Sequence, residues 1–528
     1  MIPINNFVNP LLTDFYQLTM AYAYWKNNRH NDHSVFDLFF RKNPFGGEFT
    51  IFSGLEESLK FISNFRFKED QINYIKNIMP TCEEAFFNWL KTVDCSKIKI
   101  YSIKEGTVVF PRVPLIRVEG PLAVAQLLET TLLTLVNYSS LITTNAARYR
   151  IASGKNKTLL EFGLRRAQGP DGGISASRYI YIGGFDATSN VLAGKLFGIP
   201  VKGTHAHSFV QSYSGINNLD NYKIRDINGK EYDFVKMVFE IRESLNFNNT
   251  NEGELAAFIS YAQAFPNNFL ALVDSYDTLK SGVPNFICVA IALTKIGYKP
   301  VGIRLDSGDL AYLSKQARIM FKQASQKLNI DITNSIIVAS NDINEQTLLS
   351  LNQQGHEIDA FGIGTNLVTC QSQPALGCVY KLVEIENKPR IKLSQEVGKI
   401  TIPGRKEAYR LIGKNNYAIM DIMIQVGEPT PQPGEKILCR HPFDETKRAF
   451  VTPSKVLPLH QCVWDGEIKY SFIPLSEIRN YVMAQLETLR EDHLRALNPT
   501  PYKVAVSSEL YNFIHKLWMS EAPITEIN

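Results

Sequence analysis

Between residues 158 and 365, short apolar runs alternate with longer amphipathic stretches, the pattern of repeated βα units. The apolar runs predict strands over 158–162, 200–204, 269–274, 299–306, 335–340 and 358–363, each β-branched or apolar and then turning polar. Periodicity near 3.6 predicts helices over 187–197, 254–264, 286–296, 310–324 and 345–353, with Pro284, Gly297, Gly308 and Gly355 near their ends. Strands with no polar face predict a parallel sheet covered on both sides, and the number of units favours a complete or irregular barrel over an open sheet.

The flanks read differently. Helical patterns at 54–65, 69–79 and 83–91 precede strand-like stretches at 97–103 and 106–118 and a long helix over 126–152. Beyond residue 390 come short strands and turns, a loop marked by Pro429, Pro431, Pro433 and Gly434, and an amphipathic helix over 476–495. The expected class is therefore α/β: an irregular TIM-like α/β barrel with an accompanying α+β domain built from N- and C-terminal segments. The expected division is 1–152 for the N-terminal part, 153–390 for the barrel and 391–528 for the C-terminal region that packs with the first.

Composition narrows the picture. The 528 residues suffice for more than one compact unit, with 45% hydrophobic and 20% charged residues, ordinary for a globular chain. Fifty-six Lys and Arg against 52 Asp and Glu give a net charge of +4, too small over this length for a general nucleic-acid binder, so any anion site is local. Seven cysteines, with no CxxC pair, fit neither a disulfide framework nor a thiolate zinc site and point to a reducing compartment. The first ten residues lack the features of a secretory signal, and no run reaches the roughly 20 apolar residues of a spanning helix, so the expectation is a cytoplasmic protein with no membrane partner.

The predicted strands end in EFGLRR, GTHAHS, VDSYDT, RLDSGD, ASNDIN and GIGTN. Parallel strands do not need that concentration of Asp, Arg, His, Asn and Gly for stability, and function in such folds sits at strand C-termini. Asp306 and Asp309, three apart around Gly308, suit sugar hydroxyls or a hard divalent cation; the plain alternative makes Asp306 a turn former and Asp309 a helix N-terminal charge. The turn at Gly362, Gly364 and Thr365 can present backbone N–H groups to a phosphate, with Asn341 and Asp342 beside it, or can be a tight turn alone. His205 and His207 would face one way on a strand, which suits a metal pair, whereas in a loop only one need point inward. Phe162 with Arg165 and Arg166 could stack an aromatic ring and hold its carboxylate, although Arg166 could serve only to neutralise a nearby acid.

LTDFYQ (12–17), FGLRRAQGPDGG (162–173), GFDATSNVLAG (184–194), GTHAHS, VDSYDT, RLDSGDL and GIGTN stand in the order found in the nicotinate phosphoribosyltransferase family, which the chain resembles from about residue 9 into the region of IPGRK (402–406) and YRL (409–411). The resemblance implies a type II phosphoribosyltransferase, classed as a C–N ligase. It would convert nicotinate and phosphoribosyl pyrophosphate to nicotinate mononucleotide and pyrophosphate, the entry step of NAD synthesis from nicotinate, with Mg²⁺ (or Mn²⁺) and coupled to ATP hydrolysis.

It further implies that His207 is the histidine phosphorylated by ATP, with Asp14 orienting it. Phe162 and Tyr16 would sandwich the pyridine ring, Tyr16 coming from the partner subunit of a homodimer, and Arg165 would clamp the carboxylate. Asp274, Arg304 and Asp306 would hold ribose and pyrophosphate, and Asn341, Asp342, Gly364 and Thr365 the 5′-phosphate. Ser189 and Asn190 are neutral where the related nicotinamide enzyme carries an acid, which favours nicotinate. The reading of the residues alone keeps a second class open: a metal-dependent barrel hydrolase using the His205/His207 pair with Asp274 or Asp306 as a further ligand.

Overall fold

The computed structural model describes residues 5–522, and the chain divides into two compact units. One comprises 146–181 and 185–371; the other gathers 1–145, 182–184 and 372–528.

The first unit is built on a six-stranded, all-parallel sheet. From one edge its strands are Leu270–Leu272, Gly302–Leu305, Ile336–Ala339, Ala360–Ile363, Thr158–Glu161 and Ala187–Thr188. Interior positions such as Ala271, Ile303, Ile337, Phe361 and Leu159 are fully buried, as helices on the far side require. The helices Glu252–Ala264, Val283–Lys295, Leu310–Leu328 and Glu345–Gln354 lie where the 3.6-residue pattern puts them, each one to four residues longer than its expected span.

Two expectations need correcting. The 200–204 segment is not a ladder strand: Val201 makes one parallel bridge to Thr188, and Thr204 Oγ1 donates to the Leu270 carbonyl at 2.7 Å. This segment thus touches both edge strands and spans the gap in an incomplete barrel, with a side-chain hydroxyl replacing a backbone ladder. The helix expected over 187–197 begins only at Val191, because Ala187–Thr188 extends as a strand and the Asn190 side chain caps the helix by accepting from Ala193 N–H.

The second unit contains two six-stranded sheets. One is antiparallel throughout, in the order Lys388–Pro389, Cys378–Ile385, His33–Phe40, Ile116–Pro121, Lys99–Ile103, His460–Asp465. The other runs Arg448–Val451, Ile437–Arg440, Lys503–Val506, Ala418–Gln425, Lys406–Ile412, Lys455–Pro458 and has one parallel pair. Buried charges here are paired: Lys406 Nζ lies 2.7 Å from Asp37, and Arg410 meets both Asp421 oxygens while Tyr502 donates to one of them. Removing one partner would strand the other in a nonpolar setting. The strand expected over 106–118 is two, Val108–Val109 and Ile116–Pro121; the helix over 126–152 breaks at Leu128 into Leu122–Leu127 and Glu129–Ser153; and the 476–495 helix is Leu475–Glu487 followed by a 3₁₀ turn.

Among the described residues no helix is long and apolar enough to cross a membrane, and all seven cysteines are free thiols.

Candidate functional site

Six strand ends of the parallel sheet, with the loops that leave them, form two adjoining cavities. The smaller, about 220 Å³, is lined by Arg166, Ser340, Asn341, Asp342, Gly364 and Thr365 among others. The larger, about 540 Å³, takes in Leu164, Ser189, Gly203, His205, His207 and Leu272. Phe162, Arg165, Arg304 and Asp306 line both and so stand at the junction.

The junction is rigidly held. Arg304 Nε donates to Ser340 Oγ at 2.7 Å and an NH2 hydrogen goes to Asp306 Oδ1 at 3.3 Å, while Ser340 Oγ donates to that same carboxylate at 2.5 Å. The guanidinium lies 5.3 Å from the centre of the Phe162 ring. Asp274 is almost wholly buried, and its Oδ2 accepts from Asp306 N–H at 3.2 Å and from the Ser307 hydroxyl. Its Oδ1 has no hydrogen-bond partner. His207 stands over these acids: Nδ1 is 3.0 Å from Ser275 Oγ, and Nε2 is 3.8 Å from Asp274 Oδ1 and 3.7 Å from Asp306 Oδ2.

The two histidines diverge. His205 is buried among Phe209, Phe258 and Tyr261, and its Nε2 accepts from Leu272 N–H at 3.4 Å. Burial pulls its pKa down to about 4, so the ring stays neutral. The hydrolase reading, which needed His205 and His207 on one metal, loses its geometric basis: one ring is a core acceptor, and among the described residues no group of three or more His, Cys, Asp or Glu is placed to hold a metal ion.

Other sequence-derived candidates separate in the same way. Arg165 and Arg166 sit exposed in the 3₁₀ turn Leu164–Arg166 and form no ion pair with any described carboxylate, so Arg166 is not the neutraliser of a nearby acid. Asn190 is 1% exposed; its amide donates to Ser177 Oγ and its carbonyl caps a helix, so of the Ser189/Asn190 pair only Ser189 lines the cavity. Asp309 Oδ1 caps the Leu310–Leu328 helix by accepting from Tyr312 N–H, and it lines neither cavity. Asp14 and Tyr16 belong to the other unit, where Asp14 accepts from Thr130 Oγ1 and Tyr16 is 47% exposed on the Phe15–Lys26 helix.

Three residues outside the expected set organise the site. Ser275 stands beside the His207 imidazole and fixes one of its nitrogens. Ser340 links Arg304 to Asp306. Glu161, 1% exposed, accepts from Gly163 N–H, Ser177 Oγ and Thr188 Oγ1 and thereby ties the Phe162–Arg166 loop to the strand beside it. All three lie inside the polar strand-end strings EFGLRR, VDSYDT and ASNDIN, but their roles depend on partners from neighbouring strands and loops that the strings do not specify.

Gly362 fixes the aromatic wall. A Cβ there would meet the Phe162 ring at 2.5 Å, closer than any real contact. Gly362→Ala should therefore tilt the ring into the cavity. The family resemblance implies a stacking role for this ring, and steady-state kinetics should then give a nicotinate KM raised about tenfold, a magnitude set by the loss of roughly 1.4 kcal/mol of stacking; an unchanged KM would show that the ring is not a binding surface.

Sequence and structural comparisons bear on this geometry. Residues 11–137 match the nicotinate phosphoribosyltransferase N-terminal domain, 293–427 the nicotinate phosphoribosyltransferase family and 405–514 the corresponding C-terminal domain. Nicotinate phosphoribosyltransferase 1 of Arabidopsis thaliana is 58% identical over 540 residues, spanning 100% of this chain and 97% of its own length. The Homo sapiens nicotinate phosphoribosyltransferase is 42% identical, with 97% of each chain covered. The crystal structure of human nicotinic acid phosphoribosyltransferase superposes with a TM-score of 0.86 at 40% identity, covering 96% of this chain and 99% of that one. With full-length likeness at this level and strand-end cavities where the fold places chemistry, the chain belongs to the nicotinate phosphoribosyltransferase family.

Proposed function

We propose that the chain forms nicotinate mononucleotide and pyrophosphate from nicotinate and phosphoribosyl pyrophosphate, the first step of NAD synthesis from nicotinate, with ATP hydrolysis coupled through His207. The observation that carries this reading is the junction itself: a small polar cavity of glycine and asparagine loops opens into a larger aromatic-walled one through Phe162, Arg165, Arg304 and Asp306.

Bond formation from the pyridine nitrogen to the anomeric carbon, as the bond to pyrophosphate breaks, passes through a cation-like sugar. The chain's task is to bring ring and sugar together and to receive the charge that builds on the leaving group. In this reading Asn341, Asp342, Gly364 and Thr365 hold the 5′-phosphate, Asp274 and Asp306 the ribose side, and Arg304 the pyrophosphate. Phe162 supplies one face of the ring sandwich, and Ser189 leaves the carboxylate unopposed. Tyr16 supplies the second face from the partner of a homodimer; its exposure in the single chain suits that role.

A divalent cation fits the donor set, since Mg²⁺ usually takes one or two carboxylates plus substrate phosphates, and Asp274 Oδ1 is buried without a partner. Mg²⁺, or Mn²⁺ in its place, held by Asp306 and Asp274 would supply neutralisation of pyrophosphate charge. Asp309, occupied as a helix cap, is the weaker candidate ligand.

Incubation of the chain with labelled phosphoribosyl pyrophosphate and nicotinate, with and without ATP, should yield labelled nicotinate mononucleotide, faster with ATP. Labelled ribose phosphate alone, or no preference for nicotinate over nicotinamide and quinolinate, would overturn the reading. Arg165→Ala should raise the nicotinate KM about a hundredfold, the size of a lost charge-assisted pair of hydrogen bonds. Because Arg165 also lines the smaller cavity, a rise of a few-fold in the phosphoribosyl pyrophosphate KM is expected beside it; equal rises in both would remove the carboxylate clamp.

A further inference from the structure

The unit that gathers the N- and C-terminal segments holds a cavity of its own, about 640 Å³, which shares no lining residue with the two reaction cavities. One wall is apolar. Met420, Cys439 and Ala505 reach it from three strands of the second sheet, where they belong to a buried core cluster. The charged lining is mostly cationic: Arg41, Arg112, Lys447, Arg448 and Lys503 reach the cavity, against a single lining carboxylate, Glu48.

These cations are poorly compensated. Lys447 pairs with Asp444 at 3.0 Å, whereas Arg41, Arg112, Arg448 and Lys503 form no ion pair with any described carboxylate. Arg112 is the most constrained of them. Its backbone sits in the left-handed region at φ 72°, its N–H donates to the Phe40 carbonyl at 2.8 Å, and its guanidinium lies 5.0 Å from the Phe443 ring. Burial and the neighbouring Arg41 charge push its pKa below the usual arginine range, and burial, Arg112 and Lys447 do the same to His441 on the same wall.

Arg41 and Arg112 are half-buried while Lys447, Arg448 and Lys503 reach solvent, so like charges gather at the mouth of a partly apolar cavity and attract an anion there. Guanidinium forks recognise phosphate oxygens bidentately, and an apolar wall of this size suits a flat ring system on the same molecule. Simple inorganic anions would satisfy the cations and leave the wall unused. We propose that this cavity is a second ligand site, for a nucleoside monophosphate whose phosphate meets Arg112, Arg448 and Lys503 and whose base lies on the Met420, Cys439 and Ala505 wall.

The probe is AMP, titrated calorimetrically into the full-length chain, into Arg304→Met and into the double variant Arg112→Gln/Lys503→Gln, with adenosine and inorganic phosphate as comparisons. Wild type and Arg304→Met should bind AMP with the same affinity, and the double variant at least tenfold more weakly. Adenosine should bind poorly, and inorganic phosphate more weakly than AMP and in competition with it. Circular dichroism checks folding, and Arg448→Gln carries the same expectation should the double variant be misfolded.

The site is overturned by three results: no AMP binding to wild type; binding lost in Arg304→Met and kept in the double variant, which puts AMP in the reaction cavities; or phosphate binding as tightly as AMP, which makes this a field of charge with no pocket for a base. The readout is binding, so it stands apart from whether the chain turns over nicotinate.

Discussion

His207→Ala should abolish the stimulation of nucleotide formation by ATP while leaving a slow, ATP-independent reaction. The imidazole is fixed by Ser275 on one nitrogen and faces Asp274 and Asp306, 3.8 and 3.7 Å away, with the other. A phosphoryl group on this ring adds about 1.5 to 2 negative charges beside the two carboxylates proposed for the ribose side. The two states of the ring therefore differ in how well the site tolerates further anions. ATP can drive the reaction only by that difference in affinity. Because the alanine variant keeps Phe162, Arg165, Arg304 and Asp306 at the junction, its residual rate reports chemistry without coupling. Ser275→Ala should give an intermediate result, with ATP stimulation reduced because the ring is no longer held in one orientation. The checks are initial rates with and without ATP and incorporation of label from γ-labelled ATP; full stimulation or full labelling in His207→Ala would remove this residue from the coupling.

Arg304→Met should lower kcat/KM about 10²- to 10³-fold, the cost of removing one preorganised group from a developing anion. Of the two arginines at the junction of the cavities, Arg304 is the one held in place, by two hydrogen bonds, to Ser340 and Asp306, that leave it little freedom to reorient. Preorganisation of this kind matters most when charge shifts toward pyrophosphate, so kcat should fall along with kcat/KM. Arg304→Lys should recover only part of the loss, because an ammonium supplies the charge without the fork that meets Ser340, Asp306 and substrate together. Burst and steady-state kinetics separate the two effects. A variant that raised KM with kcat intact would assign Arg304 to uniform binding and leave the transition state to other groups.

Much of the site was legible because its residues follow their strands directly. Asp274, Arg304, Asp306, Asn341, Gly364 and Phe162 each lie at or just beyond the C-terminal end of a strand, and a parallel sheet brings such ends to one edge whatever the details of packing. The histidine string was harder. His205 and His207 are two apart, and sequence spacing cannot tell a strand from a loop at 200–204, where one backbone bridge and a threonine hydroxyl take the place of a ladder. The outcome depends on the aromatic group of Phe209, Phe258 and Tyr261, which claims one ring and leaves the other to the cavity. Asn190 and Asp309 look like ligands in one dimension for the same reason that makes them good helix caps: short polar side chains beside a turn.

The alternation of apolar and amphipathic segments determined the βα architecture, and the polar strand ends determined which edge bears the chemistry, because local periodicity and chain direction are properties of the sequence. Only the tertiary structure decided which of the polar residues face one another: Ser275 beside His207, Ser340 between Arg304 and Asp306, Glu161 beneath the Phe162 loop, and the gathering of Arg112, Arg448 and Lys503 from distant segments. Such pairings depend on distances between strands and loops that lie tens to hundreds of residues apart along the chain, and no local pattern encodes them.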